Sequence, residues 1–190
     1  MDLFDTRGYL QVRRVRVMRA RVHVHWSALV LGAVLLGLWI RQPVHAVEAV
    51  ACYFGVILLH EAGHAAMARR LGYRAPDIYL SFLHGFCVYD SPYTLREDAL
   101  IAWGGVLAQL AVALPLLALD QIPGFGSLPF VGIVVAAFGY FSVLMAAYNL
   151  VPMRGLDGAK AWRLIPILVA DLRGGAKAKK AMRDLLRRLK

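Results

Sequence analysis

The sequence predicts an all-α polytopic membrane protein with about four transmembrane helices, preceded by a small β-like strand. Three observations lead there. The 190 residues are 59% hydrophobic and only 18% charged, with a mean hydropathy of +0.57, which is too apolar for an ordinary soluble domain. Four apolar stretches run roughly from Trp26 to Ile40, Ala46 to Met67, Ala99 to Leu119 and Leu128 to Val151, against the ~20 residues that a spanning helix needs. Finally, the net charge of +10 is confined to particular connecting segments. In a soluble protein that charge would suggest nucleic acid, but here its confinement reports topology, and no nucleic-acid partner is expected.

In chain order, residues 1–25 form a basic cytoplasmic segment, 26–172 the transmembrane core, and 173–190 a basic amphipathic tail. Within the first, Arg14-Val15-Arg16-Val17 and Arg21-Val22-His23-Val24 alternate with period two, as a strand does. His23 and His25 in that run are expected at the membrane interface. The first apolar stretch is short for a span, so it must borrow flanking residues or thin the bilayer. A signal-peptide core ending at Val44-His45-Ala46 is the rival reading, disfavoured by Trp39, Ile40 and Arg41 directly after the apolar run. In the tail, Ala178, Met182, Leu185, Leu186 and Leu189 share one helical face among lysines and arginines, a pattern suited to the anionic inner leaflet. Cys52 and Cys87 lack any CxxC spacing and read as small buried apolar residues.

Basic residues cluster before the first stretch (Arg7, Arg13, Arg14, Arg16, Arg19, Arg21), between the second and third (Arg69, Arg70, Arg74, Arg96) and after the fourth (Arg154, Lys160, Arg163). The remaining two loops hold Arg41 alone, with no basic residue from Asp120 to Gly126. By the positive-inside rule both termini are cytoplasmic, giving a multi-pass protein of the cell (inner) membrane.

His60-Glu61-Ala62-Gly63-His64 closes the second apolar stretch. At helical spacing the two histidines lie one turn apart on one face, where both rings can reach a single tetrahedral Zn²⁺. Glu61 falls in the same arc, placed to take a proton from a zinc-bound water. Charges at the centre of a spanning helix cost roughly 2.5 to 3.5 kcal/mol on insertion scales and are kept for function. The bland reading makes the histidines structural bridges between helices.

A third zinc ligand must come from the same depth. Glu97 is one candidate, although Thr94-Leu95-Arg96-Glu97 also has the spacing of a helix capping box. Asp157 is the other, lying in Asn149-Leu150-Val151-Pro152-Met153-Arg154-Gly155-Leu156-Asp157-Gly158. Pro152 should break the helix and the glycines let the chain turn a carboxylate inward, though Asp157 could instead cap a following helix. A broken helix at a cavity is where a membrane tolerates irregular backbone, which favours Asp157.

Together these residues resemble the site-2 protease family of intramembrane zinc metalloproteases. The match comprises His60, Glu61 and His64, with Asn149, Pro152, Leu156, Asp157 and Gly158 in the later segment. Leu80 to Val88 is similar to that family's hairpin near the active site. Gly104-Gly105-Val106-Leu107-Ala108-Gln109 is similar to a small-residue motif on its third core helix, departing from it at Val106 and Gln109.

The resemblance implies hydrolysis of a peptide bond within or near the cytoplasmic end of a transmembrane substrate helix. His60, His64 and Asp157 would hold zinc, Glu61 would act as general base, and Asn149 would bind substrate. The lipid bilayer and a transmembrane protein substrate are the implied partners. No soluble segment of domain size accompanies the core, so a regulatory membrane partner or prior trimming is expected to control access. Two other classes compete: an idle membrane scaffold with a structural zinc, and a cation transporter. Intact Glu61 weighs against the first, and the scarcity of intramembrane carboxylates against the second. His84 is at the right depth for a gating role but reads equally as a loop histidine.

The charge pattern makes its own prediction. In a cysteine-free background, single cysteines placed between Asp120 and Gly126 should react with impermeant thiol reagents from outside, and one beside Arg74 should not. Outside labelling near Arg74 would reverse the orientation.

Overall fold

The structure, a computed structural model, describes residues 8–82 and 84–174. The amphipathic face expected from Ala178 to Leu189 lies outside the described residues. Strands β1 (Tyr9–Val17) and β2 (Ala20–His25) lead into helices α1 (Trp26–Leu38) and α2 (Pro43–Arg70). Strands β3 (Asp77–Leu80) and β4 (Gly85–Val88) follow, then α3 (Leu95–Asp120), α4 (Val131–Asn149) and the short α5 (Gly158–Ala161).

Three of these helices, α2, α3 and α4, are long and apolar enough to cross a membrane. The first apolar stretch becomes only the 13 residues of α1. At 1.5 Å per residue that is about 20 Å, short of a hydrocarbon core of about 30 Å. The expectation of about four spanning helices therefore becomes three helices of spanning length and one shorter apolar helix. Val44-His45-Ala46 falls in the first turn of α2, where Pro43 occupies the N-terminal position that proline tolerates.

Helix α3 starts at the capping box read from the sequence, with the Thr94 side chain accepting from the Glu97 N–H and the Glu97 carboxylate accepting from the Thr94 N–H. The middle of α4 widens into a π-helix over Val135–Phe141. Leu107, Leu114 and Leu144 on α3 and α4 point outward, as lipid-facing residues do.

The alternating N-terminal run is a strand pair, as its period requires, and the Leu80 to Val88 segment contributes a hairpin. The structure joins both into one four-stranded sheet in the order β1-β2-β3-β4. The joint is a parallel pairing of β2 with β3, in register from Arg21↔Asp77 to Val24↔Leu80. Arg21 grips both oxygens of Asp77, at 2.8 and 2.9 Å, in the forked geometry that makes guanidinium–carboxylate pairs directional. His23 donates to the same carboxylate at 2.8 Å and stacks on Tyr79. His25 instead caps α1, accepting from the Ser27 N–H. One face of the sheet packs on α2 through Val22, Ile78 and Leu80 against Ile57, Ala65 and Ala68, which fixes the hairpin beside the histidine-bearing turns of α2.

Candidate metal centre

Helices α2 and α3 cross where both lack side chains. A Cβ on Gly63 would strike the Gly104 carbonyl and Ala108, and one on Gly104 would strike the Gly63 carbonyl. The backbones therefore meet nearly in contact, as small residues allow between membrane helices. This approach lays the His60 and His64 rings across the backbone of α3 at Gly105, where an added Cβ would sit 2.6 to 2.8 Å from ring atoms of both.

Each imidazole is then oriented by a neighbour on α3. His64 Nδ1 donates to the Ile101 carbonyl at 2.8 Å, and His60 Nδ1 donates to Oε1 of Gln109 at 3.0 Å. Ile101, Gly105 and Gln109 are spaced four apart, so they form one stripe along α3 facing the i, i+4 histidine pair of α2. A carbonyl oxygen can only accept, so each Nδ1 carries the proton and each Nε2 of a neutral ring presents a bare lone pair.

The third member comes from beyond the break in α4. Asp157 precedes α5 but makes no side-chain capping bond there. Its Oδ2 lies 2.9 Å from His60 Nε2 and 3.2 Å from His64 Nε2. The segment carrying it is pinned from several directions. Trp103 of α3 donates its indole N–H to the Ala161 carbonyl at 3.0 Å, and Trp162 donates to the Leu150 carbonyl at 2.6 Å. Lys160 pairs with Asp98 at 3.0 Å, and a Cβ on Gly158 would collide with the Leu150 and Val151 carbonyls.

Three ligand atoms, all within 4.8 Å of one another, thus converge on one point. The chemistry of this donor set fits a metal. Buried Asp157 Oδ2 meets only the two Nε2 atoms among the described residues, and those two nitrogens approach each other to 3.0 Å. With both rings neutral and protonated at Nδ1, three lone pairs this close repel one another, and a cation among them relieves the repulsion. With zinc–ligand bonds of about 2.0–2.1 Å, neighbouring atoms of a tetrahedral shell lie about 3.3 Å apart, close to the spacings seen.

Glu61 is buried at 5% exposure, beside this cluster and against β4. Its side chain lies where a Cβ on Gly85 would fall, and its carboxylate faces the Cys87 backbone N–H. Cys87 itself is chemically quiet, because burial, together with the nearby Glu61 charge, pushes its thiol up to about 12.

Glu97 is occupied elsewhere. It accepts from Thr94 and from the Tyr73 hydroxyl, at 2.7 and 3.0 Å, and is absent from the converging group, of which Asp157 is a member. Asn149 donates its side-chain amide to the Met145 carbonyl one turn back on α4. His84 closes the β3–β4 turn, its carbonyl accepting from the Ser81 N–H and hydroxyl. Sequence reasoning missed Gln109 as a partner of the site. The signal available was its four-residue spacing from Gly105.

Replacement of Gly105 by alanine should displace the imidazoles while sparing helix formation. We expect at least a tenfold loss in divalent-metal retention by equilibrium dialysis, with unchanged helical circular dichroism. Native-like retention would show that the rings do not depend on this close approach.

No protein-family model matches the sequence, and no curated protein does. Among solved structures, the chain is similar to the site-2 protease from Methanocaldococcus jannaschii, with a TM-score of 0.64 and 21% sequence identity. That similarity covers 83% of this chain and 71% of the other. The chain therefore has a site-2-protease-like fold.

Proposed function

We propose that this chain is an intramembrane zinc metalloprotease, hydrolysing a peptide bond within or near the cytoplasmic end of a transmembrane substrate helix. The observation that carries this reading is the convergence of three potential metal-ligand atoms beside a buried carboxylate, toward one end of a helix long enough to span a membrane, within a site-2-protease-like fold. Two histidines and one aspartate as protein ligands leave a fourth zinc position for water or substrate, the composition of a catalytic rather than a structural site. This argues against the idle scaffold with a structural zinc. For a cation transporter, the described spanning helices offer too few facing carboxylates.

When bound, zinc would act as a Lewis acid that makes water more acidic and polarises the scissile carbonyl. Glu61 takes the proton as water oxygen attacks the carbonyl carbon, and hands it to the amine nitrogen as the C–N bond breaks. Burial of Glu61 keeps bulk water from competing for that proton.

A helical substrate must unwind to present its peptide bond, and β4 offers a place for the extended segment. The Ser81 N–H bonds to the His84 carbonyl, and the β3–β4 register then alternates so that the backbone groups of Gly85 and Cys87 point away from β3. β4 is the last strand of the sheet, so the Gly85 N–H and carbonyl and the Cys87 carbonyl can pair with an added strand, while the Cys87 N–H faces Glu61. Such a strand would lie alongside Glu61. Asn149 would hold substrate through its amide, which requires that amide to leave the Met145 carbonyl. The cytoplasmic placement of the site rests on the arginine distribution, and the partners are the bilayer, a transmembrane protein and a regulatory membrane protein.

In purified chain given a transmembrane substrate, Glu61→Gln should retain zinc and lose at least about a hundredfold in turnover. Asp157→Ala should lose zinc and activity together, while Glu97→Ala should keep both. Substantial turnover in Glu61→Gln, or zinc loss in Glu97→Ala with retention in Asp157→Ala, would overturn the assignment.

A further inference from the structure

Gln109 is fully buried in an apolar helix, a costly placement for an amide unless it is engaged. One end of it is engaged, since Oε1 accepts from His60 Nδ1 at 3.0 Å. The other end, Nε2, is buried without a hydrogen-bond partner among the described residues. A leucine or methionine at this position would fill similar space and leave no orphan donor. The sequence thus keeps a polar group whose one satisfied contact is to the ring of a metal-site histidine.

We infer that Gln109 is a positioning residue: it holds His60 in the Nδ1-protonated tautomer, with Nε2 presented to the metal. This rests on the zinc reading above. The two histidines are handled differently. For His64 the same task falls to the Ile101 backbone carbonyl, which no side-chain substitution removes. For His60 it falls to a side chain, which makes the orientation of this ligand dependent on one residue. Partners that fix a ligating imidazole typically contribute 10- to 100-fold to metal affinity. The residue is also one of the two positions, with Val106, at which the chain departs from the small-residue motif it resembles, and its side chain carries the acceptor to the ring.

The test measures zinc affinity of the full chain in detergent by competition with a chromophoric chelator, alongside the visible spectrum of the Co²⁺-substituted protein. Gln109→Leu should weaken zinc binding 10- to 100-fold and shift the Co²⁺ bands, whereas Gln109→Glu, which keeps an acceptor for Nδ1, should stay within about threefold of the native chain with native-like bands. If Gln109→Leu does not fold, Gln109→Met takes its place, matching the length without the acceptor. Native affinity in the leucine or methionine variant, or equal loss in the glutamate variant, overturns the inference. Failure of the native chain to bind zinc would instead overturn the metal reading on which it depends. Native binding with an indifferent Gln109 would overturn the positioning role alone.

Discussion

The near-contact of α2 and α3 at Gly63, Gly104 and Gly105 is the constraint on which the site depends. Two helices carrying ordinary side chains pack with axes 8–10 Å apart, and at that distance the Ile101 carbonyl and Gln109 could not both reach imidazoles on the facing helix. Without Cβ atoms at the crossing, both histidine rings, set edge to face, come up against the α3 backbone at Gly105, and both Nδ1 atoms find acceptors. The same contact fixes the register of α2 on α3, and so decides which residues of α3 meet the rings. Polar groups buried in an apolar bundle are tolerable only when satisfied. The rings are satisfied on one side by α3, and their remaining lone pairs collect on the other.

Asp157 completes that side because α4 ends before it. A residue within a continuous helix would need its whole helix to approach the cluster. A residue after the break at Pro152 can be brought in by a short turn, held by Trp103 and by the Lys160–Asp98 pair. The sheet adds the third wall. Its β2–β3 joint, clamped by Arg21 and Asp77, anchors the β4 hairpin to the N-terminal strands as well as to α2. Glu61, the converging ligand atoms and the edge strand β4 thus lie together, brought there by helix, post-helix turn and sheet.

Much of this was legible in the sequence, for identifiable reasons. His60, Glu61 and His64 declare themselves because helical spacing alone places them together. The four apolar stretches and the brevity of the first follow from length and composition. The choice between Glu97 and Asp157 did not, since both sit at the right depth and both have a local helix-start explanation. It took tertiary packing to show that Thr94 and Tyr73 occupy Glu97 while Asp157 leaves its own helix uncapped. The hairpin was legible only through family resemblance. Its parallel pairing with β2 was hidden, because Arg21 and Asp77 are 56 residues apart and short strands carry no signal of their partner. The contact of His23 with Asp77, 54 residues away, was hidden for the same reason. Gln109 was hidden by its type, since a lone glutamine in an apolar helix gains meaning only when the facing residue is known.

The central claim is that His60, His64 and Asp157 bind one zinc ion and leave a position open. X-ray absorption at the zinc edge of the purified full-length chain tests it most directly. The account predicts one zinc per chain, four-coordinate, with two imidazole ligands at about 2.0–2.1 Å, oxygen in the remaining positions and no sulfur. A shell containing sulfur, a single imidazole, or a closed set of four protein ligands would contradict it.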